Sequence, residues 1–371
     1  MKVDDGSFTN IGLVNQFTVD APLTEGTHAF AVQGVDTLAR PGEPGLLSFT
    51  VDITPPTEPA APAMQPASPS KNSKPTFTWG ASTDTLTGLD RYQVSIDFGT
   101  TIDVLATQTS FTPATALSDG SHTFRVRALD KAGNNSAFAS LSVVIDATAP
   151  TAPPNLVMVP PSPTNVVRPS FNWGEAADAT SGVVSYEVKL DSGVFQNIGV
   201  LLSFTPAVDI AEGNHTFSVH AVDKAGNAGT DSTLSFVIDL TSPTKPANVA
   251  RTTLDNDNTP TFTWDASTDP TSNGVASGVD FYTVKIDNKP FKSIGLTTSF
   301  TVADLDKLTD GPHTLSVKAV DKAGNQSDVA TLTFNIVTVP PSAPQNLRME
   351  PPSPTNVNKP TFLWDPPLDV V

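Results

Sequence analysis

DGSHTFRVRALDKAGN at residues 119–134 returns as EGNHTFSVHAVDKAGN at 212–227 and as DGPHTLSVKAVDKAGN at 310–325. In the first copy His122, Phe124, Val126 and Ala128 share one parity, and Thr123, Arg125 and Arg127 hold the other. Period-two alternation of this kind predicts a strand with one buried face and one wet face. The strand stops at DKAGN, where glycine can take positive φ and the flanking Asp and Asn can cap a turn, so a hairpin leads into the next strand, SLSVVID at 140–146. DKAGN is read as turn chemistry and as nothing more.

Working outward, each copy is preceded by three other recurring phrases. The first carries a tryptophan: KPTFTWG at 74–80, RPSFNWG at 168–174, TPTFTWD at 259–265 and KPTFLWD at 359–365, which places Trp79, Trp173, Trp264 and Trp364 at equivalent positions. The second carries the three tyrosines, Tyr92, Tyr186 and Tyr282, in alternating runs that end at Asp97, Asp191 and Asp287. The third is SFTPATAL at 110–117, SFTPAVDI at 203–210 and SFTVADL at 299–305. With a first strand near NLVMV and a short one such as VFQNIG, each unit holds seven strands and closes with a proline-rich joint, for example DATAPTAPPNL. Proline stiffens such joints by fixing φ. The predicted fold is all-β, a linear array of tandem seven-stranded sandwiches. Full modules span 55–148, 149–241 and 242–338, with the C-terminal part of a module at 1–54 and the N-terminal part of one at 339–371. The chain reads as a window cut from a longer repetitive one. The alternative is that half-modules of neighbouring molecules complete one another as donor strands do.

Composition agrees with many short strands: 34 prolines and 23 glycines in 371 residues punctuate the chain and disfavour long helices. A net charge of −17 repels phosphate backbones, so nucleic acid is a poor partner. No run approaches the roughly 18 to 20 apolar residues of a membrane span, so no membrane insertion is expected within this chain. The opening MKVDDGSFTN is too polar for a signal peptide, which places any targeting signal outside the chain. There is no cysteine, which removes disulfides, thiolate metal sites and thiol nucleophiles together.

The Trp strand, the Tyr strand and the phrase D-G-x-H-T-F-x-V-x-A-x-D-x-A-G-N resemble fibronectin type III modules and the bacterial Ig-like repeats of large surface adhesins, over essentially the whole chain. The resemblance implies a non-enzymatic structural or adhesive segment of an extracellular or cell-surface, prokaryotic protein: a stalk, an adhesin shaft or a filament subunit. Its partners would be neighbouring modules or copies of itself in a fibre or surface layer. The alternatives are carbohydrate- or protein-binding modules, or an accessory segment of a large secreted enzyme. Fibronectin-type modules place a tyrosine six residues before the strand's alanine, where its hydroxyl bonds back to the preceding loop. Here His28, His122, His215 and His313 hold that place, and a ring nitrogen can make the same bond.

Those four histidines lie in separate modules and cannot form one cluster. His220 points to the solvent face by parity and has no partner in sequence. No Ser-His-Asp arrangement, phosphate loop or paired-histidine spacing appears. No cofactor is expected, calcium excepted. Asp52, Asp146 and Asp239 close the last strand before each joint, where hard oxygen ligands would suit calcium. The phrase LDNDNTPTF at 254–262 adds Asp255 and Asp257, so Asp239, Asp255 and Asp257 are the calcium candidates.

Overall fold

The computed structural model describes residues 1–303 and 306–366; the end of the SFTVADL phrase (304–305) and the last five residues of the terminal part (367–371) lie outside it. The regular elements are strands. In the first full module a three-stranded sheet (Ala60–Gln65, Thr76–Gly80, Ser110–Phe111) faces a four-stranded sheet ordered Ala139–Ile145, Gly120–Asp130, Leu89–Ile96, Ile102–Leu105. The second and third modules repeat the same seven strands in the same two sheets. All pairings between these strands are antiparallel, and Tyr92 lies opposite Ala128 with Val94 opposite Val126.

The alternation sends one side chain in two inward, and those side chains make the core. Phe77, Tyr92, Val94, Phe124, Val126 and Ile145 are fully buried in the first module. Phe77 stacks on Phe124 at 4.3 Å between centroids, and Phe171 on Phe217 at 4.0 Å in the second. In the third, Leu315 replaces that phenyl ring and Phe262 packs against Phe334 instead. Each core tryptophan meets the tyrosine of the facing sheet, Trp79 to Tyr92 at 5.5 Å and Trp264 to Tyr282 at 5.6 Å. The tyrosine hydroxyl in turn accepts a backbone N–H from the loop after the Trp strand, donated by Ser82, Ala176 and Ser267. That bond fixes the loop that will face the preceding module.

The two end parts carry fewer strands. Lys2–Val3, Gly26–Val32 and Gly45–Val51 form a three-stranded sheet, and Gln345–Glu350 pairs with Thr361–Asp365. Trp364 is 53% exposed where Trp79, Trp173 and Trp264 are 4–6% exposed, because no facing sheet covers it among the described residues.

His220 corrects the parity argument. It lies on the outer face as predicted, yet it is only 6% exposed. Asp231 sits 2.9 Å from its Nδ1, Glu187 3.3 Å from its Nε2, and the Phe195 ring covers it at 4.2 Å. Parity fixes the face of a sheet and not what is laid over it.

Candidate cation-binding joints

The four corner histidines are alike in detail. His122 Nε2 lies 2.8 Å from the Ser118 carbonyl and Nδ1 2.6 Å from Asp97 Oδ2. His28, His215 and His313 repeat this with the carbonyls of Thr24, Ala211 and Thr309 and with Asp4, Asp191 and Asp287. Both partners only accept, so both ring nitrogens must donate, which favours the imidazolium at His28, His122 and His313. For His28 the bond to Asp4 raises the pKa, aided by the Thr24 carbonyl. Burial opposes the charge on His122 and His313, but the carboxylate and the carbonyl outweigh it and both pKa values are raised. Each aspartate also accepts the next backbone N–H, as Asp97 Oδ1 does from Thr123, and sits in the left-handed region (φ 51–55°), which aspartate tolerates.

The joints hold a second recurring group. Where one module meets the next, the aspartate that ends the last strand joins one from the following module's loop after the Trp strand and one from its DKAGN turn. The three trios are Asp52, Asp84 and Asp130; Asp146, Asp178 and Asp223; and Asp239, Asp269 and Asp321. Local structure holds every member in place. Asp84 Oδ1 accepts the N–H groups of Leu86, Thr87 and Gly88. Asp130 accepts both the backbone N–H and the side-chain amide of Asn134, closing the turn around Gly133 (φ +97°). The same amide reaches across the joint to the Asp52 carbonyl at 3.0 Å, as Asn227 reaches Asp146 and Asn325 reaches Asp239. The strand-end carboxylates cross it too, Asp146 accepting from Ser181 N–H and Asp239 from Ser277 N–H.

Within each trio one carboxylate oxygen from each residue lies within 4.8 Å of the others. That is twice a calcium–oxygen bond of about 2.4 Å, so a single ion fits between them. Among the described residues no lysine or arginine lies at ion-pair distance from any of the nine carboxylates. Asp269 Oδ1 is buried with no hydrogen-bond partner. Burial, with Asp239 and Asp269 close by, raises the Asp321 pKa against the bonds from Asn325. The donor set is oxygen only, which suits a hard cation such as calcium.

A further acid latches each joint from the other side. Asp119 accepts from Ala147 N–H and the Thr148 hydroxyl, and Glu25 and Asp310 bind Thr54 and Thr338. Glu212 does more. Its carboxylate takes the hydroxyls of Ser272 and Thr241, the Leu240 N–H and the Asn273 amide, which lower its pKa to about 2. Ser272 and Asn273 belong to the long loop of the third module, so Glu212 ties two modules directly.

The predicted calcium residues are thus divided. Asp239 stands in the third trio, but Asp255 and Asp257 lie at the far end of the module, where the Asp255 carbonyl accepts from Val337. There Arg251 already pairs with Asp255 at 3.1 Å and binds the Leu254 and Asp257 carbonyls, while Asp257 caps Thr259. LDNDN is a loop built on a buried arginine and does not join Asp239. Asp269 and Asp321, the aspartates that do lie beside Asp239, come from a variable loop and from the turn phrase. Recurrence of an aspartate at both places in all three full modules was the available signal.

A family profile matched three times along the chain decides the family of these sandwiches. The chain belongs to the bacterial Ig-like domain family. The family profile matches residues 69–147, 162–240 and 248–338. These bacterial Ig-like modules are 31% identical over 299 residues to Exoglucanase B of Cellulomonas fimi, covering 77% of this chain and 26% of that protein. They are 31% identical over 344 residues to Exoglucanase A of the same organism, covering 88% of this chain and 38% of that protein. Chitinase A1 of Niallia circulans is 30% identical over 180 residues, 46% of this chain and 24% of that protein. The chain therefore spans well under half the length of these relatives. Among solved structures, the three fibronectin domains of chicken CNTN1 align over 76% of this chain and 99% of theirs, with 14% identity and a TM-score of 0.35.

Proposed function

We infer that these bacterial Ig-like modules form a stiff, non-catalytic spacer within a secreted bacterial enzyme that degrades polysaccharide, and that calcium locks its joints. The observation that carries the reading is the repeated joint: three full modules are each tied to the module before them by the same aspartate trio, asparagine bridge and acid latch. A spacer needs length and stiffness, and repetition with tied joints supplies both. Similarity to two exoglucanases over most of this chain favours an enzyme as the parent over a surface adhesin. The expected compartment is extracellular, where calcium is plentiful enough for weak sites of the extracellular class.

In this reading the carboxylates of Asp146, Asp178 and Asp223, and their counterparts, hold the ion, and the ion cancels the repulsion that three close carboxylates exert. Asn227 and Ser181 orient the ligands. The test uses the full secreted polypeptide with residues 55–338 deleted. The spacer reading expects hydrolysis of a short soluble glucan to be unchanged and hydrolysis of insoluble cellulose or chitin to fall severalfold. A parent polypeptide with no hydrolytic activity on either glucan or chitin overturns it.

A further inference from the structure

The outer face of the four-stranded sheet carries cations in an otherwise acidic chain, and they are held in an unusual way. In the first module the Arg125 guanidinium lies between two rings, 4.9 Å from the centroid of Phe98 and 4.0 Å from that of Phe138. Arg127 shares Phe138 at 4.8 Å and donates twice to the Gln93 side-chain amide oxygen. The residues paired with Arg125 on either side are Ser95 and Ser140, and among the described residues no carboxylate lies at ion-pair distance from Arg125 or Arg127. Asp103 is held by Arg91 and by the Gln93 side-chain amide, and Asp90 by Arg91.

The third module repeats the arrangement with lysines. Lys285 and Lys318 lie 5.1 and 4.4 Å from the Phe291 centroid, and Lys318 binds the Gln326 amide oxygen. Neither has a carboxylate partner among the described residues. The second module differs. There Lys189 over Phe195 and the neighbouring His220 are met by Asp231 and Glu187, so that face is neutralised from within.

Stacking occupies the faces of a guanidinium and leaves its edge N–H groups pointing outward, already ordered. Two adjacent like charges with no counter-charge are a preorganised receptor for a carboxylate. We propose that the outer sheet faces of the first and third modules bind a carboxylate-bearing polysaccharide, with Arg125 and Arg127 at one contact and Lys285 and Lys318 at the other. Two contacts on one chain favour a polymer, which gains from binding both, over a small anion. Phe98, 70% exposed beside Arg125, offers a sugar ring an apolar surface. The proposal goes beyond the spacer reading and stands or falls apart from it.

Affinity electrophoresis of the whole chain in gels containing polygalacturonate, its methyl ester or polyglutamate tests it. Polygalacturonate should retard the chain, in a salt-sensitive way, and the neutral ester should not. The double variants R125A/R127A and K285A/K318A should each weaken retardation about tenfold, and their combination should abolish it. Arg125→Lys with Arg127→Lys keeps the charge and should keep part of the binding, and Arg168→Ala, which removes an arginine already paired with Asp209, should change nothing. Equal retardation by the ester, equal or stronger retardation by polyglutamate, or indifference to the double variants would each overturn the assignment.

Discussion

An imidazole held between a carboxylate and a carbonyl is a pH-dependent brace. The raised pKa values of His28, His122 and His313 mean that these residues contribute stability in full below the unfolded value near 6.5, and lose it as pH rises through their folded values. Their partners Asp4, Asp97 and Asp287 have lowered values, so their share is present above about 3.8 and is lost as pH falls through the folded values. The brace is therefore strongest between the two. Melting temperature should decline as pH rises from about 6 to 8.5. His122→Phe should flatten the first module's part of that slope in hydrogen exchange, and His122→Ala should cost about 1–2 kcal/mol. An unchanged slope in His122→Phe would remove the brace from the account. The tryptophans make a different case. The Trp173 indole N–H is buried without a partner, so the residue contributes volume and not a hydrogen bond. Trp173→Phe should cost well under half of what Trp173→Ala costs, about 3–5 kcal/mol for the latter, in denaturant melts.

At the scale of elements, alternation and recurring phrases were enough to place seven strands per module, because one buried face forces a period of two. The corner histidines were legible through the resemblance to fibronectin-type modules, whose tyrosine holds that place; the aspartate on the other ring nitrogen was not. The joint was not. Asp130 and Asn134 look like turn residues and do close the turn, and only three dimensions show that Asn134 also reaches the Asp52 carbonyl. LDNDN misled because acid density in sequence ignores Arg251, three residues before that phrase and buried among those acids, where the first and second modules carry Met64 and Met158. The loop before the third Tyr strand is longer than its counterparts, and the extra length is what brings Ser272 and Asn273 to Glu212. Glu212→Gln should therefore loosen the joint between the second and third modules more than Asp119→Asn loosens the one before it. Limited proteolysis at the two linkers would read this, and equal cleavage would contradict it.

Across the whole molecule the repeats are not equivalent at their joints. The strand-end aspartate of the first three joints is replaced by Val337 at the fourth, where among the described residues the latch from Asp310 to Thr338 is kept. Three cation-stiffened joints should therefore be followed by one that ignores calcium. Asp321, with its raised pKa, should make calcium binding at the third joint weaken as pH falls through that value, since proton and ion compete for the same oxygens. The most direct measurement is calorimetric titration of calcium into the chelator-treated chain, beside the variant carrying Asp146→Asn and Asp239→Asn. Saturation is expected near three ions per chain, one for each trio, and near one for the variant. Absence of binding at millimolar calcium, or a stoichiometry that the two substitutions leave unchanged, would contradict it.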